Sequence, residues 1–280
     1  MSIDLHVHSN ASDGTLSPAA VVEAARAAGV TALALTDHDT MDGVSEAMAA
    51  AEALGLELVP GVELNTDRTW GEVHILGYFI PPDASGFYEL LARRREARVR
   101  RGEKMVQRLQ ELGFRISFDD VLRIANGGAI TRPHVARALV EAGCVASIEE
   151  AFARYLYTGG PAYVPREPFS AFDAVRAILD AGGVPVLAHP GRMSEEGKKL
   201  IPELIEHGLQ GLECYYPEHT PEDTEHFLAL AAKYDLVVTG GTDAHGPGST
   251  HDRRIGSVSA PPGAVEALRE RQARLARGRR

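Results

Sequence analysis

Apolar positions along the chain follow two alternating patterns. Short β-branched runs are separated by longer Ala/Leu-rich stretches with helical spacing, which is the signature of βα units on a mostly parallel sheet. The pattern predicts strands at 3–7, 32–36, 58–62, 73–80, 184–188, 211–215, 236–239 and 255–258. Helices fall between most of them. Ser17-Pro18 opens the first with an N-cap and a proline at the first helical position, and Gly29 closes it. Further helices are predicted at 173–181, 195–207, 221–234 and 262–277, with no internal repeat.

The alternation stops between residues 81 and 165. Helical spacing at 87–112, 119–125, 133–141 and 147–155 has no strand between its segments, and Pro81-Pro82 and Gly159-Gly160-Pro161 punctuate the ends. The expected organisation is therefore an α/β domain over 1–80 and 166–280, with an all-helical insertion over 81–165. Removing about 85 residues from 280 leaves about 195, or six to seven βα units at about 30 residues each. That predicts a small or incomplete barrel and not an eightfold one.

Composition narrows the class. With 44% hydrophobic and 24% charged residues, the chain reads as globular and not disordered. No apolar stretch approaches the roughly 20 residues that cross a bilayer, and Asp4, His6 and His8 stand where a signal peptide would be basic and then apolar. A cytoplasmic protein without a membrane partner is expected. Cys144 and Cys214 are the only cysteines, which gives no support to a disulfide framework or a thiolate zinc site. The net charge of −10 argues against non-specific coating of nucleic acid, so a phosphate-bearing substrate must be drawn in locally.

Candidate chemistry collects at the carboxyl ends of predicted strands, where α/β folds place their sites. The first strand ends in Asp4-Leu5-His6-Val7-His8, and strand periodicity puts both imidazoles on one side. Asp13 lies in the next loop. Thr36-Asp37-His38-Asp39 ends the second strand, Glu63 ends the third, and His74 lies in the fourth. After the insertion come His189 in Ala188-His189-Pro190-Gly191-Arg192, and Asp243 and His245 in Thr242-Asp243-Ala244-His245. Six histidines and three carboxylates are too many ligands for one ion. Imidazole and carboxylate without thiolate suit Mn, Fe or Zn, so two or three divalent ions are expected, Mn first among them.

The spacing His6-x-His8, Thr36-Asp37-His38, Gly61-Val62-Glu63, His74, Ala188-His189-Pro190 and Thr242-Asp243-Ala244-His245 closely resembles the PHP (polymerase and histidinol phosphatase) family of metal-dependent phosphoesterases. The resemblance implies a distorted (β/α)7 barrel with metals at its mouth. It implies that His6, His8, Glu63 and Asp243 hold one ion, that Glu63, His74 and His189 hold a second, and that Asp13, His38 and His245 hold a third. Many members have histidine at the position of Asp13, which makes the third site harder here. Water would be the nucleophile, so no serine or cysteine is needed. Asp243 is expected to accept its proton, His245 or His38 to help the leaving group, and Arg192 to balance phosphoryl charge.

Within the insertion, Thr131-Arg132-Pro133-His134, together with His189-Pro190-Gly191-Arg192, is similar to the branch that hydrolyses nucleoside 3′,5′-bisphosphates and trims short RNA from the 5′ end. Arg132, His134 and Arg192 are the substrate-binding candidates, the arginines because their planar fork suits phosphate. Surface or helix-capping roles remain open for each. The run from Arg93 to Arg101 reads as a solvated helix face, with Arg98 or Arg101 as steering groups should one stripe face the mouth. The arginines at 269–280 read as a frayed helix, and Trp70 as a loop residue. His207, His226 and His251 fit no ligand spacing, while His219 could line the mouth. The expected function is a phosphomonoesterase for a small nucleotide, a 3′,5′-bisphosphate, with short RNA as a further substrate and no obligate protein partner. The alternatives are a phosphatase for another metabolite such as histidinol phosphate, and a non-catalytic metal-binding module.

Overall fold

Seven strands pair in chain order in a computed structural model that describes residues 2–66, 73–125, 128–249 and 251–278. They are β1 (Ser2–Val7), β2 (Val30–Leu35), β3 (Glu57–Asn65), β4 (His74–Tyr78), β5 (Val184–Leu187), β6 (Gly211–Tyr215) and β7 (Val237–Gly240). The pairing is parallel except at β4, which runs antiparallel to both β3 and β5. The sheet curls until its edges meet. The amides of His8 and Asp243 donate to the carbonyls of Ala244 and His6 at 3.0 and 2.7 Å, so β1 is joined to the chain just past β7. Gly241 permits that approach, because a Cβ there would lie 2.5 Å from the His6 amide nitrogen. The result is the distorted seven-stranded α/β barrel that the family resemblance implies.

Helices α1 (Pro18–Ala27), α2 (Val44–Leu54), α7 (Ala171–Asp180), α8 (Glu195–Lys198), α9 (Ile201–Glu206), α10 (Pro221–Lys233) and α11 (Ala264–Gly278) accompany these strands. Ser17 caps α1 by accepting from the Ala20 amide at 3.2 Å, with Pro18 at the first position. Alternation along β2 divides the core. Ala32 and Ala34 pack with Leu5, Leu76, Val186 and Leu268, whereas Leu33 and Leu35 pack with Val21 and Val22 of α1 and Ala47 of α2. β1 departs from strict alternation, since Leu5 joins the first cluster and Val7 the second, across a register shift between Asp4 and Val7.

Three expectations need correction. Residues 255–258 form a turn, not a strand, because Gly256 takes φ +77° and its amide bonds the Asp4 carboxylate at 2.8 Å in place of a neighbouring strand. The helix expected over 195–207 divides into α8 and α9, since Pro202 stands in the first turn of a new helix. The helix expected over 147–155 is the short α6 (Ile148–Ala151), continued by a wider π turn over Phe152–Leu156.

Residues Leu90–Glu167 form a second compact unit, distinct from the residues on either side. It contains most of α3 (Ser85–Glu111), then α4 (Phe118–Ala125), α5 (Arg132–Glu141) and α6, around Met105, Leu109, Val121, Val135, Leu139 and Leu156. The arginine run lies on α3, and Arg101 departs from the expected solvated face. It is buried, and its Nε donates to the Val164 carbonyl at 2.7 Å. Arg100 stays exposed beside Glu96 and Glu167.

Candidate metal centre

Glu63, near the end of β3, is fully buried and has imidazoles around both carboxylate oxygens. Oε2 lies 3.3 Å from His6 Nε2, 3.2 Å from His8 Nε2 and 2.9 Å from His38 Nδ1. Oε1 lies 2.8 Å from His74 Nδ1 and 3.2 Å from His189 Nε2. The backbone sets this convergence. β1 delivers His6 and ends one residue before His8, and the Asp39 amide bonds the Glu63 carbonyl at 2.9 Å, which draws the chain after β2 alongside β3. His189 follows β5 with φ +28°, a region few non-glycine residues occupy.

Asp243 forms the opposite wall, also at positive φ, +52°. Its Oδ1 lies 3.5 Å from His6 Nε2, 3.2 Å from His8 Nε2 and 3.6 Å from His245 Nδ1. Asp13 completes the cluster, 3.3 Å from His245 Nε2 and 4.0 Å from His38 Nε2. Asp37 holds the loop that carries Asp13: it accepts from the Ser9 amide at 2.8 Å, the Ser9 hydroxyl at 2.7 Å and the Ser12 hydroxyl at 2.6 Å.

All nine residues singled out from the sequence as metal ligands thus lie together. Their ligand atoms fall into groups within 4.8 Å: His6, His8, Glu63 and Asp243; Glu63, His74 and His189; and His8 with Asp13, His38 and His245. Divalent ions suit this chemistry. His6 Nε2, both nitrogens of His8, His38 Nδ1, Glu63 Oε2 and His189 Nδ1 are buried yet make no hydrogen bond, a costly arrangement for a protein interior unless another partner takes the lone pairs.

The electrostatics reflect the same crowding. Burial opposes charge on His6 and His8, yet the carboxylates around them outweigh it and push both imidazoles up, His8 to about 10. Burial alone would raise Glu63, Asp13 and Asp243, but the imidazoles hold all three well below the usual carboxylate range. His74 is pushed down to about 4, mainly by burial, which leaves a neutral ring of the kind a metal takes.

The sequence passed over several residues of this site. His251, assigned no ligand role from its spacing, brings Nδ1 within 3.1 Å of Asp243 Oδ2 and forms a fourth group with Asp243 and His245. The signal was the Gly246-Pro247-Gly248 turn. Gly246 and Gly248 both take positive φ, and the His245 amide bonds the His251 carbonyl at 3.1 Å, so the chain folds back on itself. Tyr216 donates its hydroxyl to Asp243 Oδ2 at 2.9 Å, and Arg253 Nη1 approaches that hydroxyl at 2.9 Å. Glu213, buried in the middle of β6, bonds His6 Nδ1 at 3.0 Å, and a lone acid in the apolar run Gly211-Leu212-Glu213-Cys214 was its signal.

The remaining candidates are placed as follows. Arg192 Nη1 lies 3.1 Å from the Tyr216 hydroxyl and 3.9 Å from Asp243 Oδ2. His219 braces a loop, accepting from the Gly191 amide at 3.1 Å and bonding the Cys214 carbonyl at 2.9 Å. In the helical unit, Arg132 Nη1 donates to the Leu156 carbonyl at 3.1 Å and its guanidinium stacks over Phe152 and Tyr163. His134 Nδ1 accepts from the Thr131 amide at 3.3 Å as part of a capping box. Trp70 lies outside the described residues.

A barrel with this cluster at its strand ends defines a metal-dependent phosphoesterase. The chain belongs to the PHP domain family, which matches it over residues 4–120. It is 38% identical over 284 aligned positions to a 3′,5′-nucleoside bisphosphate phosphatase of Chromobacterium violaceum, covering 99% of this chain and 98% of that one. It is 36% identical over 249 positions to the 5′-3′ exoribonuclease Rnm of Salmonella typhimurium, covering 87% and 85%. A solved structure from Bifidobacterium adolescentis, classed as a metal-dependent phosphoesterase, matches with a TM-score of 0.84 at 36% identity, covering 96% of this chain and 95% of that one.

Proposed function

We propose that this enzyme is a cytoplasmic phosphatase that removes a phosphomonoester from a nucleoside 3′,5′-bisphosphate, leaving the nucleoside 5′-monophosphate and phosphate. The observation that carries the reading is Glu63, whose two oxygens each face a separate set of imidazoles, so that it can bridge two ions. Near-full-length similarity to the bisphosphate phosphatase supports the choice of substrate. Trimming of short RNA from the 5′ end is the second reading, favoured by the exoribonuclease relative.

His6, His8, Glu63 and Asp243 would hold one ion, Glu63, His74 and His189 a second, and Asp13, His38 and His245 with His8 a third. Bound divalent ions supply water of lowered pKa and a charge clamp on the phosphoryl oxygens. The chain supplies the remainder. Arg192 is one-quarter exposed and offers a guanidinium to the phosphoryl charge that develops beside Asp243. Asp243 is the proposed proton acceptor, because Tyr216 occupies its Oδ2 and leaves Oδ1 toward the cluster. His245 is held by its Nδ1 at the Asp243 carbonyl, 3.0 Å away, with Nε2 toward Asp13. Arg132 and His134 are the proposed contacts to the rest of the nucleotide.

The test is phosphate release with Mn²⁺ on adenosine 3′,5′-bisphosphate, adenosine monophosphates, histidinol phosphate and a 5′-phosphorylated trinucleotide. The bisphosphate should show the highest kcat/KM. A higher value on histidinol phosphate or the trinucleotide would overturn the substrate and keep the class, whereas no turnover on any would revive the non-catalytic module.

A further inference from the structure

Every strand but β6 contributes to the metal-ligating groups, either from within or from the residues that follow it. β1 gives His6 and His8, β2 leads to His38, β3 gives Glu63, β4 gives His74, β5 leads to His189, and β7 leads to Asp243 and His245. β6 gives none of the described ligands. At its centre stands Glu213, fully buried between Leu212 and Cys214, which are themselves fully buried.

A buried carboxylate needs donors to offset its lost hydration. Glu213 has two kinds. His6 Nδ1 lies 3.0 Å from Oε1 and 3.2 Å from Oε2, and the His189 amide donates to Oε2 at 2.7 Å. One partner therefore belongs to the group His6, His8, Glu63 and Asp243, and the other to the group Glu63, His74 and His189. A histidine that ligates a cation is neutral and carries a single N–H. When His6 gives that proton to Glu213 from Nδ1, its Nε2 is left as a lone pair, aimed at the space bounded by Glu63 Oε2 at 3.3 Å and Asp243 Oδ1 at 3.5 Å. The opposite tautomer would point a hydrogen at that space and could not ligate. On the second side, the amide bond holds His189 at φ +28° and ψ +58°, a sparsely populated backbone conformation that persists only where its surroundings fix it.

We propose that Glu213 is a positioning residue that aligns two metal sites at once, setting the tautomer of His6 and clamping the backbone of His189. This rests on the reading of the cluster as a metal centre. Glutamine in its place has one acceptor and one donor for two donors. Either its NH₂ opposes the His189 amide, or it turns that NH₂ toward His6 and selects the wrong tautomer.

The test is calorimetric titration of metal-stripped wild type and Glu213→Gln with Mn²⁺, alongside thermal unfolding of the stripped chains. The expected result is about 10- to 100-fold weaker Mn²⁺ binding, the loss typical when a histidine ligand loses its carboxylate partner, with turnover restored as Mn²⁺ is raised. A merely structural residue would lower the melting temperature and leave the affinity unmoved, and that result would overturn the proposal. If Glu213→Gln fails to fold, Glu213→Asp, which keeps the charge and withdraws it by one methylene, carries the same expectation. Failure of both to fold would make Glu213 a requirement of the barrel itself and would also overturn it. Wild type that binds no Mn²⁺ would instead bring down the metal-centre reading beneath it.

Discussion

The strand-end cluster and the helical unit bury polar groups in opposite ways. In Leu90–Glu167, the buried Arg101 gives its Nε to the Val164 carbonyl, and Arg132 gives Nη1 to the Leu156 carbonyl. Protein partners meet the charge. At the strand ends, six nitrogens and oxygens of His6, His8, His38, Glu63 and His189 are closed off from solvent with no hydrogen bond, although each such atom costs on the order of 1–3 kcal/mol when left unsatisfied. A protein that solves this problem in one region and leaves it open in another reserves the second for partners from outside the chain. The strand-end cluster is able to hold metal ions, while the two arginines of the helical unit are met by carbonyls of their own unit.

That contrast breaks most sharply at Asp243. Asp243→Asn removes a negative ligand shared by two imidazole sets, and kcat/KM should fall by at least about a thousandfold, the several kcal/mol that metal-ion charge stabilisation supplies. Circular dichroism should remain that of the folded chain, because the variant keeps the side-chain shape. Near-normal turnover in metal-replete Asp243→Asn would show that this carboxylate neither ligates nor accepts a proton.

A smaller effect probes the other region. Arg132→Ala should lower kcat/KM for a 3′,5′-bisphosphate by roughly ten- to a thousandfold, as for loss of one charge-assisted phosphate contact of about 1.5–4 kcal/mol. A phosphomonoester without a second phosphate should lose far less. Equal losses on the two substrates would assign Arg132 to the scissile phosphate. No loss on either, together with a lower melting temperature, would leave it a structural role, as in its contacts to Leu156, Phe152 and Tyr163.

The two regions were also unequally legible in the sequence. His6, His8, Glu63, His74 and Asp243 could be read because acids and imidazoles at the ends of apolar strand runs are rare unless chemistry keeps them there. The strands could be read from short apolar runs, and seven of the eight predicted segments match a strand of the buried sheet. Residues 255–258 have a strand's composition, but Gly256 and the reach of Asp4 settle them as a turn. His251 and Arg253 were hidden because they reach Asp243 through a loop whose path depends on two positive-φ glycines, and Tyr216 because it meets Asp243 from the residue after β6, a contact that no periodic pattern carries. Arg101 looked like its exposed neighbours on α3, and its burial and tertiary contact with Val164 distinguish it.

The most direct test is the metal content of the purified chain. After expression and purification in excess Mn²⁺ followed by desalting, elemental analysis should find two to three ions per chain, falling together with phosphate release as chelator is added. Fewer than one ion per chain with activity retained would contradict a multinuclear centre, and with it the bridging role assigned to Glu63.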